Sequence, residues 1–255
     1  MSVLTALHTD KGIVKETNQD AVLLKVANSS FGEIVFAVVC DGMGGLSKGE
    51  LASATVVKAF SDWFEQGFVE ILKANQLQQI EVEWNRMLNE LNSKISDYGN
   101  QHGIKLGTTF TGMLVIGDDY MLIGQVGDSR AYEVGEQLIQ LTEDQTLVQR
   151  EVNMKRITPE QAKVDPRQNV LLQCLGASKV LKPVFIKIKP SRNHSYFVCS
   201  DGLRHKLETF ELYTHLKPEN FMNEQQLQNK CFELVEQVKQ RKERDNISIV
   251  LIKLA

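Results

Sequence analysis

Residues 35–42 read Val-Phe-Ala-Val-Val-Cys-Asp-Gly, an apolar run that ends in an aspartate and a glycine. The pattern returns at residues 196–202, where Tyr-Phe-Val-Cys-Ser leads to Asp201 and Gly202. A short apolar run of this kind predicts a buried strand, which holds the carboxylate at its end rigidly. The glycine that follows lets another group approach the backbone closely. Both stretches therefore predict a sheet edge that presents carboxylates.

Three further aspartates stand beside predicted strands. Asp128 follows a third apolar run, Asp20 precedes the run at 21–26, and Asp245 with Asn246 precedes the last apolar run at 247–254. An aspartate beside a strand is commonly just part of a turn. Five such positions in one chain weaken that interpretation without removing it.

The order of the elements predicts an α+β protein in which helices lie beside antiparallel strands. Strands are predicted at 21–26, 34–40, 108–116, 121–126, 131–134, 137–141, 184–188, 196–199 and 247–254, and helices at 50–68, 76–98, 208–216 and 224–239. Residues 108–141 read as an antiparallel meander, because glycine-containing turns separate their short strands. Residues 144–176 are polar and irregular, with a helix start at Thr158-Pro159, and predict a flap inserted into a single domain of residues 1–255.

Length and composition exclude several classes of protein. The chain has 255 residues, of which 42% are hydrophobic and 24% charged, which suits a globular protein with a sizeable core. A formal net charge of −3 gives no basic surface for nucleic acid. Residues 1–10 do not resemble a signal peptide, and the run at 34–40 is too short to cross a membrane. The four cysteines lack C-x-x-C spacing, which predicts buried free thiols and a cytoplasmic location.

Five converging carboxylates would need cations beside them. Two carboxylates about 5 Å apart repel each other by roughly 3 kcal/mol at an effective dielectric near 20. Oxygen donors favour Mg²⁺ or Mn²⁺ over zinc, and the five histidines form no ligand-spaced pair. Two such ions about 3.5–4 Å apart can activate a shared water and orient a phosphoryl group for in-line attack.

Eight short motifs, in the same order over nearly the whole chain, resemble those of the protein phosphatase 2C (PPM) family, and its compact bacterial branch in particular. They are Gly12 through Asn18-Gln19-Asp20, Asp41-Gly42-Met43-Gly44-Gly45, Gly107-Thr108-Thr109, Gly127-Asp128-Ser129-Arg130, Leu141-Thr142-Glu143-Asp144, Ile157-Thr158-Pro159-Glu160, Ser200-Asp201-Gly202 and Asp245-Asn246. The resemblance implies a four-layer α-β-β-α sandwich of two antiparallel sheets. It also implies a serine/threonine protein phosphatase with metal ions in a cleft at one edge of the sandwich.

The same resemblance implies which residues form the core of the site. Asp41 would bridge two metal ions, and the carbonyl of Gly42 would bind one of them. Asp201 and Asp245 would complete the second metal site. The three aspartates are therefore the expected catalytic residues, and the expected cofactors are two core ions, Mn²⁺ or Mg²⁺.

Three more residues have implied roles around that core. Asp20 would hold water molecules bound to the metals, and Asn246 would orient the ligands from behind. Asp128, with help from Asp201, would hold a weaker third ion.

Several positions depart from the pattern of the family: four in the flap, which bear on the choice of substrate, are Gln145, Asn153, Val164 and Asp165, and two others bear on the chemistry. Lys15 stands where members usually have an arginine that binds the substrate phosphate; lysine keeps the charge but loses the two-pronged geometry. Met43 stands where animal members carry a histidine that acts as general acid. Bacterial members share this methionine, so the group that protonates the leaving oxygen stays open.

Two alternatives to this prediction remain. A phosphatase fold without metals would only bind phosphoproteins, although it would be expected to lack one of Asp41, Asp201 and Asp245. A regulatory phosphatase of the sporulation type would share the chemistry and differ in its dedicated partner. Otherwise the expected partners are proteins phosphorylated on serine or threonine, with a serine/threonine kinase of the same cell as the counterpart.

Overall fold

A computed structural model describes residues 2–44 and 48–255 of the chain, so Gly45 of the predicted motif at 41–45 lies outside the described residues. Two five-stranded sheets form its centre, and all of their strand pairs are antiparallel. In the order of hydrogen-bonded neighbours, the first sheet consists of β1 (Val3–Asp10), β12 (Ile247–Leu254), β11 (Ser195–Cys199), β8 (Arg130–Val134) and β9 (Leu138–Gln140). The second consists of β10 (Val184–Ile188), β7 (Tyr120–Val126), β6 (Phe110–Ile116), β3 (Gly32–Cys40) and β2 (Ala21–Ser29). The short strands β4 (Gly42–Gly44) and β5 (Leu106–Thr108) pair separately.

Helices cover the outer faces of both sheets. The second sheet packs against α1 (Gly49–Glu65), α2 (Gly67–Lys73) and α3 (Gln79–His102). The first sheet packs against α6 (Asp201–Arg204), α7 (Thr209–Leu216) and α8 (Glu224–Gln240), with a 3-10 turn at Pro218–Asn220. Two short helices, α4 (Leu147–Asn153) and α5 (Pro159–Val164), lie in the predicted flap.

Three apolar clusters separate the four layers, and β3 shows why its sequence is apolar throughout. Phe36 and Val38 point toward the helices, whereas Val35, Ala37 and Val39 point between the sheets. A strand that is buried on both faces cannot alternate apolar with polar residues. The prediction of an α+β sandwich with four layers is therefore confirmed.

The predicted meander at 108–141 is wrong in its pairing. β6 pairs with β7, but β8 pairs with β9 and β11 in the other sheet. The chain changes sheets at Gly127, whose φ of +101° favours glycine, and a Cβ there would lie 2.6 Å from the Thr109 methyl carbon. Strand β1 was not predicted, and the predicted helix at 50–68 is divided at Gln66 into α1 and α2.

Other local predictions agree with the structure. Thr158 caps α5 by accepting a hydrogen bond from the backbone of Gln161, as the Thr-Pro pair predicted. All four cysteines are free and buried. In the described part of the chain, no helix combines the length and hydrophobicity that crossing a bilayer requires.

Candidate metal centre

Strand ends place the predicted aspartates around one cleft. Asp41 follows β3, and Asp20 precedes β2, which pairs with the end of β3 through Ala21 and Cys40. Asp201 begins α6 just after β11, and Asp245 lies just before β12, the neighbour of β11. Hydrogen bonds from Gln19 to Asn246 and from Ser200 to Asp20 join the two sheets at this edge.

The backbone around Asp41 is held from two sides. Its N–H donates to the Thr109 hydroxyl at 2.9 Å, and its carbonyl accepts from the Thr109 N–H at 2.9 Å. At Gly42, a Cβ would lie only 2.3 Å from the carbonyl oxygen of Gln19 and 2.5 Å from that of Gly49. Residue 42 must therefore be glycine for these segments to meet.

The carboxylate of Asp20 is buried and only half satisfied. Its Oδ2 accepts hydrogen bonds from the hydroxyls of Ser200 at 2.8 Å and Ser248 at 2.7 Å. Its Oδ1 is buried without a hydrogen-bond partner. A buried carboxylate oxygen without a partner is costly, so this atom is suited to a cation or a water molecule held by one.

Asp201 shows the same half-satisfied state. Its Oδ1 is buried without a hydrogen-bond partner, and its Oδ2 lies 3.4 Å from Nε2 of His205. The next residue, Gly202, approaches the loop that precedes β12 so closely that a Cβ would lie 2.0 Å from the Asn246 carbonyl oxygen. This close approach brings Asp201 beside Asp245.

Asn246 fixes the loop that carries Asp245. Its side-chain amide donates to the carbonyls of Lys11 and Thr17 at 3.0 and 3.1 Å, and its Oδ1 accepts from the Gln19 N–H at 2.9 Å. Asn246 thus ties the loop between β1 and β2 to the loop that precedes β12.

The pKa values of Asp41 and Asp20 are raised by burial and by the charges of neighbouring aspartates. Burial raises the pKa of Asp41 well above its usual value, and the charges of Asp20, Asp201, Asp128 and Asp245 add to the rise. Burial likewise raises the pKa of Asp20 to about 7, with Asp201 and Asp245 contributing. Buried carboxylates whose ionisation is disfavoured by neighbouring carboxylates, as at Asp41 and Asp20, form a site that attracts cations.

The side chains of the site offer only oxygen donors to a metal ion. Among residues 2–44 and 48–255, no group of three or more histidine, cysteine, aspartate or glutamate side chains is arranged so that it could hold a metal ion by itself. The oxygen-only donors, the unpartnered oxygens of Asp20 and Asp201, and the mutual repulsion of the carboxylates nevertheless fit hard divalent cations. Water molecules would supply the remaining ligands, as Mg²⁺ commonly requires.

Lys15 lies at the mouth of this cleft. Its ammonium is 3.0 Å from Oδ1 of Asp245, and both side chains are more than one-third exposed. Burial alone would lower the pKa of Lys15, but the hydrogen bond to Asp245 and the charges of Asp245, Asp41 and Asp201 raise it. The chain therefore places a firmly charged lysine beside the carboxylates.

Asp128 is in a different environment from the other four aspartates. Nη2 of Arg204 lies 3.2 Å from its Oδ2 and 3.3 Å from its backbone oxygen. Burial raises the pKa of Asp128 to about 7; Asp201 adds to the rise, whereas Arg204 opposes it. The predicted ligand of a third ion thus already contacts a cationic side chain.

Several residues of the cleft were missed by the sequence analysis. Arg204 and His205 follow Asp201 by three and four residues, so helical spacing could have placed them beside it. Ser200 belongs to the predicted motif at 200–202 but was given no role of its own. Ser248 and Glu243 gave no comparable local signal, because their positions depend on the pairing of β11 with β12. Glu243 accepts hydrogen bonds from the backbone of Arg244 and Asp245 at 2.8 and 3.0 Å and so shapes the loop before β12.

Comparisons with known proteins define the class of protein. The chain is 28% identical over 249 residues to the serine/threonine phosphatase stp of Listeria monocytogenes, covering 96% of this chain and 93% of that protein. The serine/threonine phosphatase of S. agalactiae superposes with a TM-score of 0.86 and 27% identity, each chain being covered fully. The catalytic domain of PstP in complex with two manganese ions has the same fold, with a TM-score of 0.79, 24% identity and coverage of 98% and 97%.

The fold and the relatives thus define a serine/threonine protein phosphatase, as predicted. The family model for protein phosphatase 2C matches residues 8–248, and the chain belongs to that family. The predicted family and the predicted class of enzyme are confirmed.

Proposed function

We propose that this phosphatase hydrolyses phosphoserine and phosphothreonine in proteins at the cleft formed by Asp20, Asp41, Asp201 and Asp245. Two divalent cations, Mn²⁺ or Mg²⁺, are its cofactors. The observation that supports this proposal is the convergence of buried carboxylates, two of which keep an unpartnered oxygen, on one edge of the sandwich.

The residues of the site would hold the cations in three ways: by direct binding, through water molecules and by positioning a ligand loop. Asp41, Asp201 and Asp245 would provide the direct carboxylate ligands, and the carbonyl of Gly42 would provide another. Asp20, oriented by two serine hydroxyls, would accept hydrogen bonds from water molecules around the ions. Asn246 keeps the loop of Asp245 in place.

When bound, the two cations supply a water of lowered pKa and a positive field for the phosphoryl oxygens. The chain's own residues orient the substrate. Lys15 binds the phosphate from the mouth of the cleft, where its ammonium lies beside Asp245. Its positive charge helps to balance the charge of the equatorial oxygens as the bond to the leaving oxygen breaks.

The cysteines support direct attack by water rather than a covalent intermediate. All four thiols are buried. Burial raises the pKa of Cys199 to about 12 and that of Cys40 well above its usual value, so both stay as unreactive thiols. We therefore expect no covalent phospho-enzyme, and a rapid-quench experiment that trapped one would contradict the mechanism.

The substrates we propose are proteins phosphorylated by a serine/threonine kinase of the same cell. Four free buried cysteines are consistent with the reducing cytoplasm as the place where this happens.

Hydrolysis of a phosphothreonine peptide tests the proposal. We expect turnover with Mn²⁺, none with excess chelator, and a fall of about 100-fold or more in Asp41→Asn, because a ligand charge is removed. Asp119→Asn is the matched control, because Asp119 pairs with Lys189 on a turn and lies outside the cleft. Near-normal turnover of Asp41→Asn with Mn²⁺ present would overturn the proposed site.

A further inference from the structure

The guanidinium of Arg204 contacts two acidic side chains, those of Asp128 and Asp144. Its Nη2 hydrogen-bonds both the carboxylate and the backbone oxygen of Asp128 and lies 3.5 Å from Oδ2 of Asp144. All three side chains are largely buried, with exposed fractions of 15% for Arg204, 7% for Asp128 and 9% for Asp144. A guanidinium enclosed with two carboxylates in this way is a fixed part of the site.

Arg130 completes the group on the far side of Asp144. Its Nε and Nη2 donate to the two carboxylate oxygens of Asp144 at 2.6 and 2.7 Å. This two-pronged pair satisfies Asp144, so the charge of Arg204 is left to balance Asp128. The two arginines and two aspartates thus pair without any ion.

The remaining charge near Asp128 comes from Asp201, which belongs to the proposed core site. A third divalent cation at Asp128 would have to lie close to the guanidinium of Arg204 as well. A divalent cation and a guanidinium that contact the same carboxylate repel each other strongly in a partly buried site. The residues present therefore do not fit a third ion at Asp128.

We propose that Arg204 takes the place of a third divalent cation at Asp128, so that this phosphatase is saturated by two ions per chain. The inference rests on the proposed two-ion core. It makes Arg204 a positioning residue, which acts on the site through Asp128 and not by contact with the substrate.

Arg204 also lies beside the start of the predicted flap. Asp144 and Gln145 are the first residues of the predicted flap at 144–176. Gln145 accepts a hydrogen bond from the Gly127 N–H through Oε1 at 2.7 Å and donates from its own backbone N–H to the Gly127 oxygen at 3.1 Å. Arg204 therefore holds Asp128 beside the first residues of the predicted flap. This contact is permanent, whereas a weakly bound ion would exchange with the solvent.

Counting bound Mn²⁺ by equilibrium dialysis and metal analysis of the full chain tests the proposal. The wild type is expected to saturate at two ions. Arg204→Gln is expected to gain one further, weaker site, and the double variant Arg204→Gln/Asp128→Asn to return to two. Arg86→Gln, which removes an equal charge from the exposed surface of α3, is the control and is expected to keep two.

A third ion in the wild type that disappears in Asp128→Asn would overturn the assignment, as would a count of two in a folded Arg204→Gln. If circular dichroism shows that Arg204→Gln does not fold, the comparison of wild type with Asp128→Asn decides, and identical counts of two support the proposal. Fewer than two ions in the wild type would overturn the proposed core site, which is a separate result.

Discussion

Gly42 is the residue at which the metal centre depends most directly on the absence of a side chain. A Cβ there would lie 2.3 and 2.5 Å from two backbone oxygens, of Gln19 and Gly49, which cannot move independently of the loops that they belong to. We expect Gly42→Ala to lower the free energy of unfolding by about 1–3 kcal/mol and to reduce kcat/KM by at least about tenfold. Urea unfolding and peptide hydrolysis measure the two effects.

Gly103→Ala is the control for that variant. Gly103, unlike Gly42, has a positive φ of +64°, but no atom lies within 4 Å of its Cβ position. It should therefore lose about 1 kcal/mol of stability and keep full activity. Equal loss of activity in both variants would mean that close approach at Gly42 does not matter for the site.

Lys15 gives a prediction about substrate binding. Its ammonium lies beside Asp245 at the exposed mouth of the cleft, so its removal leaves the buried aspartates in place. Lys15→Ala should raise KM about tenfold, the loss of one charge-assisted hydrogen bond, with a smaller effect on kcat. Lys15→Arg should lower KM, because a guanidinium can bind two phosphate oxygens at once.

Lys11→Ala is the matched control for Lys15, because Lys11 carries the same charge in the same segment and its side chain is exposed. An unchanged KM in both Lys15 variants would show that this lysine does not contact the phosphate.

Strand β3 contributes side chains to the apolar core and leads directly to Asp41 of the site. The ring of Phe36 lies 5.3–6.2 Å, between centroids, from the rings of Phe60, Trp63, Phe64 and Trp84. We expect Phe36→Ala to lower the free energy of unfolding by about 3–5 kcal/mol, measured by urea denaturation. Val26→Ala in β2 is the comparison, since that side chain is 49% exposed and should cost no more than about 0.5 kcal/mol.

The elements also show where the sequence was informative. Strands β3 and β11 were predicted because burial on both faces makes them apolar throughout, and their terminal aspartates followed from the same stretches. The assignment of β8 to the other sheet was not predictable, because a turn at Gly127 looks locally like the turn of a hairpin. The role proposed for Arg204 was missed because its partner Asp128 is 76 residues away in the sequence.

For the whole molecule, the shared burial of the aspartates makes stability depend on pH. The pKa values of Asp20 and Asp128 are raised from 3.8 to about 7, and that of Asp41 is raised well above its usual value. A folded state with raised pKa values binds more protons than the unfolded chain between these limits, so its stability falls as pH rises through that window. In the presence of chelator we therefore expect a loss on the order of a few kcal/mol between pH 4 and 8.

Mn²⁺ should reverse that trend, because ions that bind the ionised carboxylates displace their protons. The increase in Tm on adding Mn²⁺ should accordingly be larger at pH 8 than at pH 5, and thermal unfolding over this range with and without the ion measures it. In Asp41→Asn the increase should shrink at both values of pH, because a ligand charge is missing, whereas Asp119→Asn should behave as the wild type. A metal-induced shift that was the same at pH 5 and pH 8 would mean that the buried carboxylates are not where the ions bind.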